Sequence, residues 1–230
     1  MSKIRTSCRV LGYAAKLQNV RNSKGKYVNH LAIFITLTLP YEQNDDDTKI
    51  TKIVLGDFLD RCRKIGILTN YVWRAEKQQN GNIHYHLLTD SFVYYSMIYR
   101  IWLLSLEKLG YVSRYSDKFS QMSFADYKNL PHNRKLDIQE VTRKYTKGVR
   151  ENWKKPPCVR VDYCADISQL SAYIAKYTAK NEDSPNIVKG RVWASSQSVS
   201  EAVRVFKTDH DFNKFWYQVG SEMMNRKILS

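Results

Sequence analysis

His84 and His86 stand two residues apart in NIHYHLLT (82–89). In an extended strand, residues i and i+2 project from one face, so both imidazoles point the same way. Two imidazoles so placed can ligate one metal ion, although H-x-H alone also describes histidines packed or solvated on a sheet face. The segment before it sharpens the case. LTNYVWRAEKQ (68–78) is strand-like, and Asn80-Gly81 between two such runs predicts a hairpin. A three-residue loop, Gln79-Asn80-Gly81, with Gly81 left-handed would pair Gln78 with Asn82 and set Glu76 opposite His84. A two-residue Asn-Gly loop would put Lys77 there and turn Glu76 to the other face. Two histidines and a carboxylate leave coordination positions open, as a catalytic metal requires, and Mg²⁺ or Mn²⁺ is the expected ion for phosphate chemistry.

YIAKYTAK (173–180) carries a second constellation. Tyr173 and Tyr177 are one helical turn apart, and Lys176 and Lys180 repeat the same step. With 16 tyrosines in the chain, Y-x-x-x-Y means little by itself; the full Y-x-x-K-Y-x-x-K is the informative unit. The plain alternative is an amphipathic helix with packed rings and solvated lysines. A phenol of pKa near 10 is a weak nucleophile at neutral pH, and nearby cations favour the phenolate. The lysines suit either that role or a clamp on a phosphate.

These residues need a scaffold. LAIFITLTL (31–39) is β-branched and apolar and stops at Pro40, which predicts a buried strand. Ile50, Ile53, Val54, Phe58 and Cys62 share one helical face in a segment ending at Gly66. Residues 94–109 repeat apolar groups at helical spacing, and CVRVDYC (158–164) alternates as a strand. DISQLSAYIAKYTAK (166–180) predicts a helix capped by Asp166 or Ser168. The polar, basic stretch 113–157 carries no clear pattern, and NDDD (44–47) reads as a solvated loop. The sum is α+β, a central antiparallel sheet of about five strands flanked by helices.

FITLTLP (34–40), GNIHYHLL (81–88) and YIAKYTAK (173–180) resemble, in order, the three motifs of the HUH replication initiators of rolling-circle phages and plasmids. The third is most similar to the two-tyrosine form in small single-stranded DNA bacteriophages. A GRVWASS stretch (190–196) is similar to one that often follows the tyrosine helix; Tyr85 departs from the usual hydrophobic residue between the histidines. The resemblance implies a ferredoxin-like palm and a single nicking domain over 1–230, with its core at 31–193 and a helical extension at 194–230. It implies that His84, His86 and Glu76 hold Mg or Mn. One tyrosine, Tyr173 slightly favoured, would attack origin DNA to give a 5′-phosphotyrosine and a free 3′-OH, and strand transfer would follow. Thr36 and Thr38 would line the site, or merely reflect β-propensity. Single-stranded origin DNA, a host helicase and a host DNA polymerase are the implied partners, in a bacterial cytoplasm. An HUH transposase, a relaxase or a non-catalytic single-strand-binding module are the alternatives.

The charge agrees. Of 230 residues, 37 are Lys or Arg and 22 are Asp or Glu, a formal +15, which predicts an anionic partner. Residues 134–160 hold nine of the cations against three acids. Arg143, Lys144, Lys147, Arg150, Lys154 and Lys155 are thus candidate DNA contacts, with Tyr145 and Trp153 as candidate stacking rings. The longest apolar run (92–106) is 15 residues broken by Arg100, short of the roughly 20 a bilayer span needs. No P-loop motif occurs, so no helicase is expected. Four cysteines without C-x-x-C spacing predict reduced thiols.

Overall fold

The computed structural model describes residues 3–15, 18–21, 27–30, 32–164, 187–206 and 214. Its main sheet is built from β3 (Ala32–Thr38), β4 (Tyr71–Lys77), β5 (Ile83–Thr89), β6 (Val159–Cys164) and β7 (Trp193–Ser195). Their order is β6-β3-β5-β4-β7, and every neighbouring pair is antiparallel. This is the expected α+β class with a five-stranded antiparallel sheet. A separate two-stranded ribbon joins β1 (Gln18–Arg21) to β2 (Tyr27–His30). β5, which carries His84 and His86, is the central strand. β6 and β7 are the two edges, and the two-tyrosine stretch lies between them in sequence.

The two sheet faces differ because the strands alternate. Ile33, Ile35 and Leu37 of β3, Trp73 and Ala75 of β4, and Ile83, Tyr85 and Leu87 of β5 point to one side. They are covered by α2 (Asp47–Ile50), a π turn (Thr51–Leu55), α3 (Gly56–Lys64) and α4 (Tyr95–Glu107). The predicted apolar stripe does this work: Ile50, Val54, Phe58 and Cys62 are buried against the sheet. Phe58 meets Trp102 of α4 edge-on at 5.5 Å, and the Trp102 indole N–H donates to the Thr38 carbonyl at 3.0 Å. Gly66, with φ of 72°, ends the segment.

The opposite face is split in two. Its first half is apolar: Ala32, Phe34, Val72, Leu88 and Cys164 pack under α1 (Lys3–Ala14) and α8 (Gln197–Phe206). Its second half carries Thr36 and Thr38, Arg74 and Glu76, His84 and His86, and Arg160 and Asp162. The switch from apolar to polar on the same strands and the same face is what builds a site on the sheet.

The stretch 113–157 resolves into helices α5 (Tyr111–Ser120), α6 (Phe124–Lys128) and α7 (Ile138–Arg150). They share a small aromatic core of their own. Tyr145 and Trp153 belong to it, Trp153 at 5% exposure, so packing and not base stacking occupies these rings. The acidic patch also departs from expectation. Asp46 caps α2 by accepting from the Lys49 N–H, and Asp47 is buried at 4% exposure. It accepts from Lys77 Nζ at 2.6 Å, Gln43 Nε2 at 2.6 Å and the Lys189 N–H at 2.9 Å. Asn44 and Asp46 are exposed, as a solvated loop requires, but Asp47 is a clamp between the loop end of the hairpin and the chain entering β7.

Candidate metal centre

The hairpin adopts the three-residue loop. The Gln78 N–H donates to the Asn82 carbonyl at 2.8 Å, the Gly81 N–H to the Gln78 carbonyl at 2.9 Å, and Gly81 has φ of 82°. That fixes the register: Glu76 pairs with His84 and Arg74 with His86. On the other side of β5, Thr38 pairs with His84 and Thr36 with His86. Two rungs of the sheet therefore carry every polar group of the site.

Within these rungs the carboxylate is shared. Glu76 Oε1 lies 3.3 Å from His86 Nε2, and Oε2 lies 3.8 Å from His84 Nε2. One ligand atom from each residue lies within 4.8 Å of the others. Ligands bound at about 2.1 Å sit roughly 3.0–3.4 Å apart, so the observed separations suit one small cation. The three side chains are 10–15% exposed.

Local contacts hold the imidazoles. Thr36 Oγ1 is 3.2 Å from His86 Nδ1. In the tautomer that donates Nδ1–H to Thr36, Nε2 turns its lone pair toward the carboxylate. Two acceptors so opposed call for a cation between them. His84 Nδ1 is buried with no hydrogen-bond partner among the described residues. The rings stand 4.4 Å apart at 72°. Between them in sequence, Tyr85 points the other way, into the core, where its hydroxyl meets Thr51 Oγ1 of the π turn at 2.8 Å and its ring meets Trp73 and Trp102. A bulky tyrosine therefore suits this position because it pins the central strand from behind. The donor set of two imidazoles and one carboxylate fits a divalent ion.

The remaining expected residues fall in three places. Thr38 shares the face, but its hydroxyl donates to the Cys158 carbonyl at 3.2 Å, holding β3 to the start of β6. Arg143, Lys144, Lys147 and Arg150 lie on α7, and Lys154 and Lys155 follow it. Lys144 pairs with Glu140 at 2.9 Å and Lys155 with Glu151 at 3.3 Å. Tyr173, Tyr177, Lys176 and Lys180, with the helix expected at 166–180, lie outside the described residues. Sequence reading missed Arg74 and Arg160, which flank His86 and Thr36 on the same rung. Strand alternation from Glu76 would have found Arg74.

The sequence matches the family of the replication-associated protein ORF2 over residues 32–182, well over half of the chain. No curated protein and no solved structure gives a match.

Proposed function

The chain belongs to the replication-associated protein ORF2 family, and we propose that it starts replication by nicking one DNA strand at an origin with a tyrosine and later rejoining it. The observation that carries this reading is the convergence of Glu76, His84 and His86 on the polar half of the sheet. Ahead of this triad comes a strand matching FITLTLP, and after it in sequence comes the two-tyrosine stretch.

In this reading Tyr173 or Tyr177 attacks a phosphodiester. The tyrosyl oxygen–phosphorus bond forms as the phosphorus–O3′ bond breaks. The phenol gives up its proton, and O3′ takes one up, leaving a 5′-phosphotyrosine and a free 3′-OH. One phosphodiester replaces another, so attack by a 3′-OH reverses the step without ATP. The second tyrosine can cut the regenerated origin. Lys176 and Lys180, one step from the tyrosines, favour the phenolate and hold the phosphate. A Mg or Mn ion held by Glu76, His84 and His86 would polarise the phosphate oxygens and offset charge that develops on them. Thr36 keeps the His86 ring turned to the carboxylate, and Tyr85 keeps the strand from shifting. A free 3′-OH requires a DNA polymerase, and strand displacement requires a helicase, which this reading assigns to the host.

The test is direct. A labelled single-stranded origin oligonucleotide incubated with the protein and Mn²⁺ should yield a protein-linked fragment, absent in the Tyr173→Phe/Tyr177→Phe double variant. Cleavage without an adduct would replace the tyrosine mechanism with hydrolysis by water.

A further inference from the structure

Helices α5, α6 and α7 have a core separate from both clusters on the sheet: Tyr127, Val141 and Trp153 are buried together, with Phe119 and Tyr145 packed on them. The end of α7 is fixed firmly. Asn152 and Trp153 adopt φ of 49° and 54°, left-handed values without glycine. That turn folds the indole back onto Gly148, where even one added carbon would collide with the Trp153 ring. A helix anchored this way presents its outer face as a rigid surface.

That outer face is cationic. Gln139, Arg143, Thr146, Lys147 and Arg150 are exposed and form one stripe along α7. The nearest acids are already engaged, Glu140 with Lys144 and Glu151 with Lys155. Among the described residues, Arg143, Lys147 and Arg150 have no ion-pair partner. The stripe also carries no aromatic ring, because Tyr145 gives its hydroxyl to the Met122 carbonyl at 2.9 Å and Trp153 is buried. Single-strand binding relies on rings that stack bases. A cationic helix face without rings instead matches the major groove, which is about 12 Å wide and admits one α-helix.

We propose that α7 is a docking element for double-stranded DNA, distinct from the metal centre. Arg143, Lys147 and Arg150 contact phosphates, and Gln139 and Thr146 on the same face meet base edges. The inference rests on the DNA-processing reading for the identity of the polyanion, and adds to it a second site for the duplex beside the nick.

The test uses the full chain in EDTA, so that no strand is cut. Fluorescence anisotropy compares a labelled duplex of about 20 base pairs, two helical turns, with its single strand across a salt series. In Arg143→Ala/Lys147→Ala/Arg150→Ala, duplex affinity at 0.1 M salt should fall on the order of a hundredfold, and the salt slope by about 3. Single-strand affinity should fall far less. Lys52→Ala/Arg63→Ala/Lys64→Ala removes the same charge from exposed positions between 47 and 64 and should stay near wild type. Equal losses in both triple variants, equal losses on both DNA forms, or wild-type duplex binding in the α7 variant would overturn the proposal. The adduct assay is a separate readout: duplex binding lost with the α7 cations, but no tyrosine adduct, removes the nicking reading and keeps this one.

Discussion

Thr36 Oγ1 and His86 Nδ1 lie 3.2 Å apart across the β3–β5 pair. The contact ties the first motif strand to the strand that carries both histidines through one hydroxyl. It restrains the ring rotation, and with it the direction of Nε2 toward Glu76. Thr36→Val keeps the shape and removes the hydrogen bond. Mn²⁺ affinity should drop roughly 10–100-fold, measured by calorimetry, and Thr36→Ser should restore it. Unchanged affinity in Thr36→Val would reduce Thr36 to a strand-former.

Metal binding itself should be visible as stability. At about 100 times its dissociation constant, Mn²⁺ stabilises a folded protein by about 2.7 kcal/mol. For a chain of this size that raises the melting temperature by roughly 5–10 °C. Glu76→Gln, His84→Ala and His86→Ala should each abolish the shift, and EDTA should reverse it in the wild type. A shift that survives all three substitutions would place the ion elsewhere.

The register of the hairpin hangs on Gly81. Its φ of 82° has nothing within 4 Å of the missing side chain, so conformation and not crowding demands glycine. Gly81→Val should cost about 1–2 kcal/mol, a melting decrease of roughly 2–8 °C. Mn²⁺ affinity should weaken with it, because Glu76 meets His84 only in this register. Loss of stability with full metal affinity would show that the ladder, not the turn, sets the pairing.

How far the site was legible follows from the same residues. H-x-H and Asn-Gly narrowed the hairpin to two registers, and the Gln78–Asn82 bond selects the one that brings Glu76 in. The core helix was readable because Ile50, Val54, Phe58 and Cys62 recur at helical spacing. Residues 113–157 were not, because their core uses Tyr127, Tyr145 and Trp153, rings that periodicity counts as polar or neutral. The left-handed pair Asn152–Trp153 has no glycine to announce it. Asp47 looked like one acid among four polar residues; only tertiary structure brings Lys77 and Lys189 to it.

The cysteines should be inert in the folded chain. All four are free and buried, and burial pushes the Cys8, Cys62 and Cys158 thiols up to about 12. Thiolate, the reactive form, is then scarce at pH 8. An aromatic disulfide reagent should titrate none of the four under native conditions and all of them in guanidinium. A thiol that reacts rapidly in the native state would mean a local opening near it.

Asp47 should contribute to the acid limb of stability. Burial alone would raise its carboxyl, but Lys77, Gln43 and the Lys189 N–H outweigh it and hold it below the ordinary 3.8. A carboxyl depressed in the folded state contributes stability above its unfolded pKa and loses it as pH falls through the folded value. The clamp should therefore be fully effective at pH 7, weaken below about pH 5 and be gone in strong acid. Asp47→Asn removes the charge and leaves Lys77, itself 14% exposed, without its partner. The cost at pH 7 should be about 3 kcal/mol, and the gap to wild type should narrow as pH falls below 3.8 and through the folded value. Urea midpoints at pH 7, 5 and 3 would measure this. A gap constant across that range would assign the loss to packing and not to the ion pair. Because the clamp also ties Lys189, just before β7, to the loop end of the hairpin, Asp47→Asn should lower adduct yield even at temperatures where the fold persists.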